Sequence, residues 1–168
     1  SNFGTLTAAE NELQINWYKK TLHSLDADPS VQFIISSCHH SPYTNSKIVG
    51  ASTPVQQKIV PLFLASKKSQ LFLSGHSHNF EHYKIKGKDF MVIGGGGGLN
   101  QPLRSGAGIF EDVACAYKPL FHYLTVKRVE DRLVVKSIQL KKDFNGCEEG
   151  NTVEIKKVME VQAVAGTQ

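Results

Sequence analysis

The sequence predicts an α/β fold, with a mixed sheet in its first half followed by antiparallel hairpins. Three observations carry this. A capping-box pattern opens a helical run near the start, two short apolar runs of strand length each end in histidines, and two pairs of alternating runs are joined by short turn signals. At 168 residues, 40% hydrophobic and 20% charged, the chain is long enough for one core. One domain, or part of one, is expected.

Taken in order, Thr7-Ala-Ala-Glu10 supplies the helix start, and Leu13, Trp17, Thr21/Leu22 and Leu25 recur at helical spacing until Asp28-Pro29 stops the run. That face is expected to be buried. Val31 to Ser37 is a short apolar run rich in β-branched residues, read as a strand covered on both faces, with Cys38-His39-His40-Ser41-Pro42 as the loop after it. Thr53 and Pro54 are suited to be N-cap and first residue of a second helix carrying Val55, Ile59, Leu62 and Phe63, distorted where Pro61 lacks a backbone donor. Leu71 to Leu73 is a second buried strand, ending at Gly75. In open α/β sheets, sites form just past the carboxyl ends of strands, where both histidine clusters of this chain fall.

The second half is antiparallel in character. Tyr83 to Ile93 reads as a hairpin turning near Gly87, and Phe121 to Val129 with Leu133 to Leu140 as another turning at Glu130-Asp131. Between them lie the consecutive glycines Gly94 to Gly98, either a flexible loop or a close backbone approach to something bulky. A phosphate-binding P-loop needs Lys-Ser/Thr after its glycines, and Leu99-Asn100-Gln101 stands there instead, which excludes it. From Asp143 the chain turns polar, apart from a last strand at Thr152 to Val161. The expected division is therefore a folded part over residues 1–142 and a polar extension over 143–168.

Charge and cysteine usage narrow the function classes. The formal charge of +4 is spread over pairs such as Lys67-Lys68, Lys141-Lys142 and Lys156-Lys157, the pattern of a solvated surface, so nucleic acid is not an expected partner. No apolar stretch reaches the roughly 18 residues of a membrane span. The start, SNFGTLTAAE, shows no signal-peptide pattern. Cys38, Cys115 and Cys147 form no CxxC site, and compartment stays unassigned.

The histidines carry the chemistry. In extended backbone His76 and His78 would leave on one face with Cα atoms about 6.5 Å apart, suiting one metal ion, or two ions about 3.5–4 Å apart. A lone histidine at a strand end is ordinarily just a polar residue. Here Gly75 allows a sharp turn that aims both rings into one space, and His40 ends a second strand, so three imidazoles converge. Alternation points His39 away from His40. A single structural zinc held by Cys38, His40, His76 and His78 is the non-catalytic alternative, since Cys38 and His40 are two apart and share a face.

These residues carry a resemblance. CHHSPYTNS at 38–46 is similar to the HSP(x)YNS segment of purple acid phosphatases, and GHSHNFEHY at 75–83 resembles the GHxHxYER segment of the wider calcineurin-like metallophosphoesterase family. With the glycine stretch after Ile93, the resemblance covers roughly Thr5 to Leu140. It implies a metallophosphoesterase-type α/β/β/α sandwich and hydrolysis of phosphoesters by a metal-bound hydroxide, with two divalent or trivalent ions (Fe, Zn or Mn) as cofactors. Carried over by position, His40 and His76 would serve the first metal and His78 the second. His39, Asn45, Gly95 and Gly96 are the substrate-side candidates, Glu81 matches the family's usual glutamate, and His82 stands where arginine is common. No catalytic side chain is assigned. The family's earlier D-x-H, G-D and G-N-H-E/D motifs do not occur in the 168 residues. The chain therefore resembles the C-terminal half of such a domain, expected to be inactive alone. Its apolar strands Val31 to Ser37 and Leu71 to Leu73 would lack their N-terminal neighbours, so the expected partners are a phosphoester, and either the N-terminal half of the domain or a second copy through the exposed sheet. The alternative is a non-catalytic metal-binding or interaction module.

Overall fold

The computed structural model describes residues 3–157. Helix α1 (Ala8–Ala27) opens with the expected capping box: the Thr7 hydroxyl accepts from the Glu10 N–H, and the Glu10 carboxylate accepts from the Thr7 N–H at 2.8 Å. Its buried face is the expected one only at Leu22. Leu13 and Trp17 are 69% and 65% exposed, while Ile15, Tyr18 and Leu22, at i, i+3 and i+7, face the protein. Spacing alone could not choose between two stripes on the same helix.

Strand β1 (Ile34–His40) runs three residues further than the sequence suggested, because it pairs in parallel with β2 (Ser69–Gly75) as far as His40↔Gly75. His39 and His40 are thus strand residues, not loop. Only one face of β1 is covered: Ile34 and Ser36 are buried, and Ile35 is 43% exposed. Between the two strands the second helix splits into α2 (Thr53–Lys58) and α3 (Val60–Ala65), with Pro61 in the first turn of α3, where its missing N–H has no intrahelical partner to lose. Ser52, not Thr53, is the N-cap.

Strands β3 (Phe80–Ile85) and β4 (Lys88–Ile93) form the expected hairpin. Its two-residue turn has positive φ at both Lys86 and Gly87, the conformation that matches strand twist. The chain passes β4 back between β2 and β3, giving the mixed order β1-β2-β4-β3 with β4 parallel to β2. A second, antiparallel sheet holds β5 (His122–Val129), β6 (Arg132–Leu140) and β7 (Cys147–Lys156). β7 pairs along β6, so this part of the expected polar extension completes the sheet; paired backbone needs no apolar side chains on its outer face. The expected last strand reached Val161, and its end lies outside the described residues.

Two cores define the layers. Val55, Ile59, Val60 and Phe63 of the helices pack on Phe72, Tyr83, Phe90 and Val92. On the other face, Leu71 and Met91 meet Leu133, Val135 and Ile155 of the antiparallel sheet. Phe63 touches both Phe72 and Phe90 edge-on, with centroids 5.2 and 5.1 Å apart, and burying a side chain of this size contributes about 2–3 kcal/mol. β2 has neighbours on both sides, contrary to expectation; among the described residues β1 has a neighbour on one side only. No helix among them is long and apolar enough to cross a membrane.

Candidate metal centre

Because β1, β2 and β4 are mutually parallel, their carboxyl ends share one edge. His39 and His40 close β1, His76 follows β2, and the glycine stretch follows β4, so all three emerge together. A β-bulge decides which rings meet. The β1/β2 register slips between Cys38 and His40, leaving His39 as the extra residue, so two successive side chains turn to one side. The rings of His39 and His40 lie 5.0 Å apart, His40 and His76 4.6 Å, and His39 and His76 5.1 Å. Alternation failed here because it assumes unbroken pairing.

The turn after β2 is also not where the sequence placed it. Gly75 has no positive φ; His76 does, at 63°, in the centre of a three-residue turn closed by the Ser77 N–H on the Gly75 carbonyl at 2.7 Å. This is the strained hand of such turns, and a non-glycine residue held there is an outlier of the kind that gathers at functional sites. The Ser41 hydroxyl donates to the same Gly75 carbonyl at 2.7 Å and ties the two strand ends together.

Among the described residues, His39, His40 and His76 each offer a ring nitrogen, all within 4.8 Å of one another, and this group contains no carboxylate. His39 is exposed and the other two are half-buried. Burial first, then the neighbouring His40, His39 and His78, hold the pKa of His76 below the ordinary imidazole range, which keeps it neutral with a lone pair to offer. A dication of the zinc type fits this donor set chemically; a two-ion centre does not, since nothing in the group could bridge two dications.

His78 stands outside the group. Residues 76–79 are turns rather than extended strand, which removes the i, i+2 alignment, and the His78 Nδ1 lies 3.1 Å from the Leu99 carbonyl. A carbonyl only accepts, so Nδ1 carries the proton and Nε2 keeps its lone pair. Cys38 is not in the group either; its thiol points to the His40 carbonyl at 3.1 Å.

The substrate-side candidates separate as well. Asn45 is buried, its side-chain N–H donating to the Phe110 carbonyl at 2.8 Å and its oxygen accepting from the Phe110 N–H at 2.9 Å, so its amide is not open to a substrate. Gly95 does permit a close approach, but to the interior: a Cβ there would stand 2.3 Å from the His122 ring. Gly94 and Gly98 likewise accommodate the Ser77 carbonyl and the His78 ring. Only Gly96 of the two glycine candidates faces open space.

Two residues that the sequence marked only by family position prove structural. Glu81 is fully buried; its carboxylate accepts from the Thr44 hydroxyl and the Asn45 N–H, both at 2.6 Å, and from the Tyr83 hydroxyl. It binds the loop after β1 to the segment after β2. His82, standing where arginine is common, is buried and pairs through Nε2 with Asp89 at 2.7 Å, and Lys84 meets the same carboxylate oxygen at 2.8 Å.

No protein-family model matches this sequence, and no curated protein matches it. Solved structures do. GAP50, the anchor in the inner membrane complex of Plasmodium, superposes with a TM-score of 0.65 at 17% identity over 92% of this chain and 46% of that one. A dimetal phosphatase from Danio rerio gives a TM-score of 0.55 at 13% identity over 87% of this chain and 38% of that one. The chain has a metallophosphoesterase-type α/β fold, with a mixed and an antiparallel sheet, and spans less than half the length of these structures.

Proposed function

We propose that the chain is part of a metal-dependent phosphoesterase domain of the calcineurin-like type. The observation that supports this best is the convergence of His40 and His76 at the shared carboxyl edge of two parallel strands, in a fold that a dimetal phosphatase also has. A bound dication would polarise a phosphoryl oxygen and lower the pKa of a coordinated water. The chain's own contribution is to hold imidazole lone pairs in place: His40 on the bulged strand, His76 in its strained turn, and His78 with its tautomer set by Leu99, so that its Nε2 lone pair would be the one to serve a second ion. Gly96 leaves room at the edge for a phosphoester. The carboxylates of a two-ion centre would come from elsewhere in the parent protein. The purple acid phosphatase-like branch rests on CHHSPYTNS alone.

A metal-binding module without catalysis is the second reading, favoured by the all-histidine donor set. Hydrolysis of p-nitrophenyl phosphate with added manganese, zinc or iron separates the two. The full-length protein should turn over above the metal-only control and this chain alone should not. A full-length protein that binds metal without turnover of mono- or diesters would refute the enzyme reading.

A further inference from the structure

We infer that His39 is a ligand of the same ion as His40 and His76, so that the chain carries a one-ion site of three imidazoles for a zinc-type dication. This rests on reading the cluster as a metal site, but does not require that the parent protein hydrolyse phosphoesters.

The bulge is the first support. Without it, His39 would face away from His40; with it, the strand gives up one ladder pairing and turns both rings toward His76. Distance is the second. Two nitrogens, each about 2.0–2.1 Å from one tetrahedral ion, stand about 3.3 Å apart. His39 Nε2 and His76 Nδ1 are 3.2 Å apart, so these two donors already have the spacing of a shared ion. The third is the donor set itself: three neutral nitrogens and no carboxylate suit zinc, cobalt, nickel or copper rather than magnesium or calcium, and leave a fourth position open to water or an anion. His78 is not needed, its ring being directed to Leu99. The competing explanation of the 3.2 Å distance is an imidazole–imidazole hydrogen bond, which would give the pair no special affinity for a cation.

The chain as it stands, stripped by a chelator, is titrated with Co2+ and read by the visible ligand-field bands of a low-coordinate ion; Zn2+ is followed by calorimetry. One ion per chain is expected. Loss of an outer-sphere partner weakens a site by about 10–100-fold, so loss of a ligand in His39→Ala, His40→Ala or His76→Ala should cost at least about 100-fold. His23→Ala, exposed on α1, should leave the one-ion site unchanged. Free imidazole should restore part of the Co2+ spectrum to His39→Ala, a result that a merely structural role would not give. If His40→Ala or His76→Ala unfolds, the exposed His39 decides alone. Full affinity in His39→Ala, or no Co2+ binding by the parent chain, overturns the assignment. Affinity kept in His39→Ala and lost in His78→Ala would overturn it while leaving the phosphoesterase reading intact. Three-histidine binding without turnover by the full-length protein would do the reverse.

Discussion

Replacing Glu81 tests how the two loops of the metal centre are held together. Glu81→Ala removes an acceptor that serves the Thr44 hydroxyl, the Asn45 N–H and the Tyr83 hydroxyl in a fully buried setting. Burial, then the hydrogen bond to Glu81, pushes the Tyr83 phenol far up, so Tyr83 remains a donor that has lost its Glu81 acceptor in the variant. Each orphaned buried donor costs about 1–3 kcal/mol. The hydroxyls can rotate toward other partners, but the Asn45 N–H cannot. A total of about 3–5 kcal/mol is expected, a large part of the roughly 5–15 kcal/mol that holds a domain folded. Glu81→Gln should cost less, about 1–2 kcal/mol, because its oxygen can face Asn45 and Tyr83 while its amino group faces hydroxyls able to accept. Urea unfolding gives both values from midpoint and slope. An alanine variant within about 0.5 kcal/mol of the parent, the scatter of neutral surface substitutions, would refute the claim that this carboxylate joins the loops.

A second expectation concerns pH. His122 is buried against Phe80 with no hydrogen-bond partner at either ring nitrogen among the described residues, and burial lowers its pKa to about 4. The unfolded chain takes up this proton near pH 6.5 and the folded one does not. Stability should therefore fall as pH drops from about 6.5 and stop falling below about 4, by on the order of 3 kcal/mol in all. The difference between the parent and His122→Leu in urea unfolding from pH 4 to 7.5 isolates that slope, and parallel curves would contradict it. Gly95→Ala should cost about 1–3 kcal/mol by forcing a methyl onto the His122 ring, whereas Gly96→Ala should be near neutral; equal melting temperatures for the two would show that the ring yields freely. Because Ile35 is exposed on β1, which has one neighbour among the described residues, the proposed association is with another segment of a larger domain or with a second copy. Light scattering giving a monomer of 18.5 kDa at micromolar concentration would count against that.

The readable features were those fixed by local chemistry. The Thr7/Glu10 box, the break at Pro61 and the turns at Lys86-Gly87 and Glu130-Asp131 depend on a few adjacent residues, and each stands where the sequence placed it. Features set by pairing between distant segments were misread. Strand β1 gained Cys38 to His40 from its neighbour β2, and β7 formed from polar residues because β6 offered it a ladder. The site divides along the same line. His40 and His76 could be brought together from their places after two buried runs, but the register slip that adds His39 leaves no mark in composition or alternation. Nothing in Asn45 or Gly95 alone revealed that Phe110 and His122 would occupy them.

The topology also sets an order of assembly. The β3–β4 and β5–β6 hairpins close over two-residue turns and can form within about 1–10 μs. The β1–β2 pairing joins Ile34 to Ser69 across two helices, so its entropy cost must be met before its contacts reward it. The three imidazoles meet only when that parallel pairing is complete to its bulged end. An ion bound there would favour the finished register over every partly zipped intermediate, so refolding followed by Co2+ colour would lag behind refolding followed by hairpin formation. With an ion bound, the same coupling would make the cluster a late clamp on the long-range β1–β2 pair.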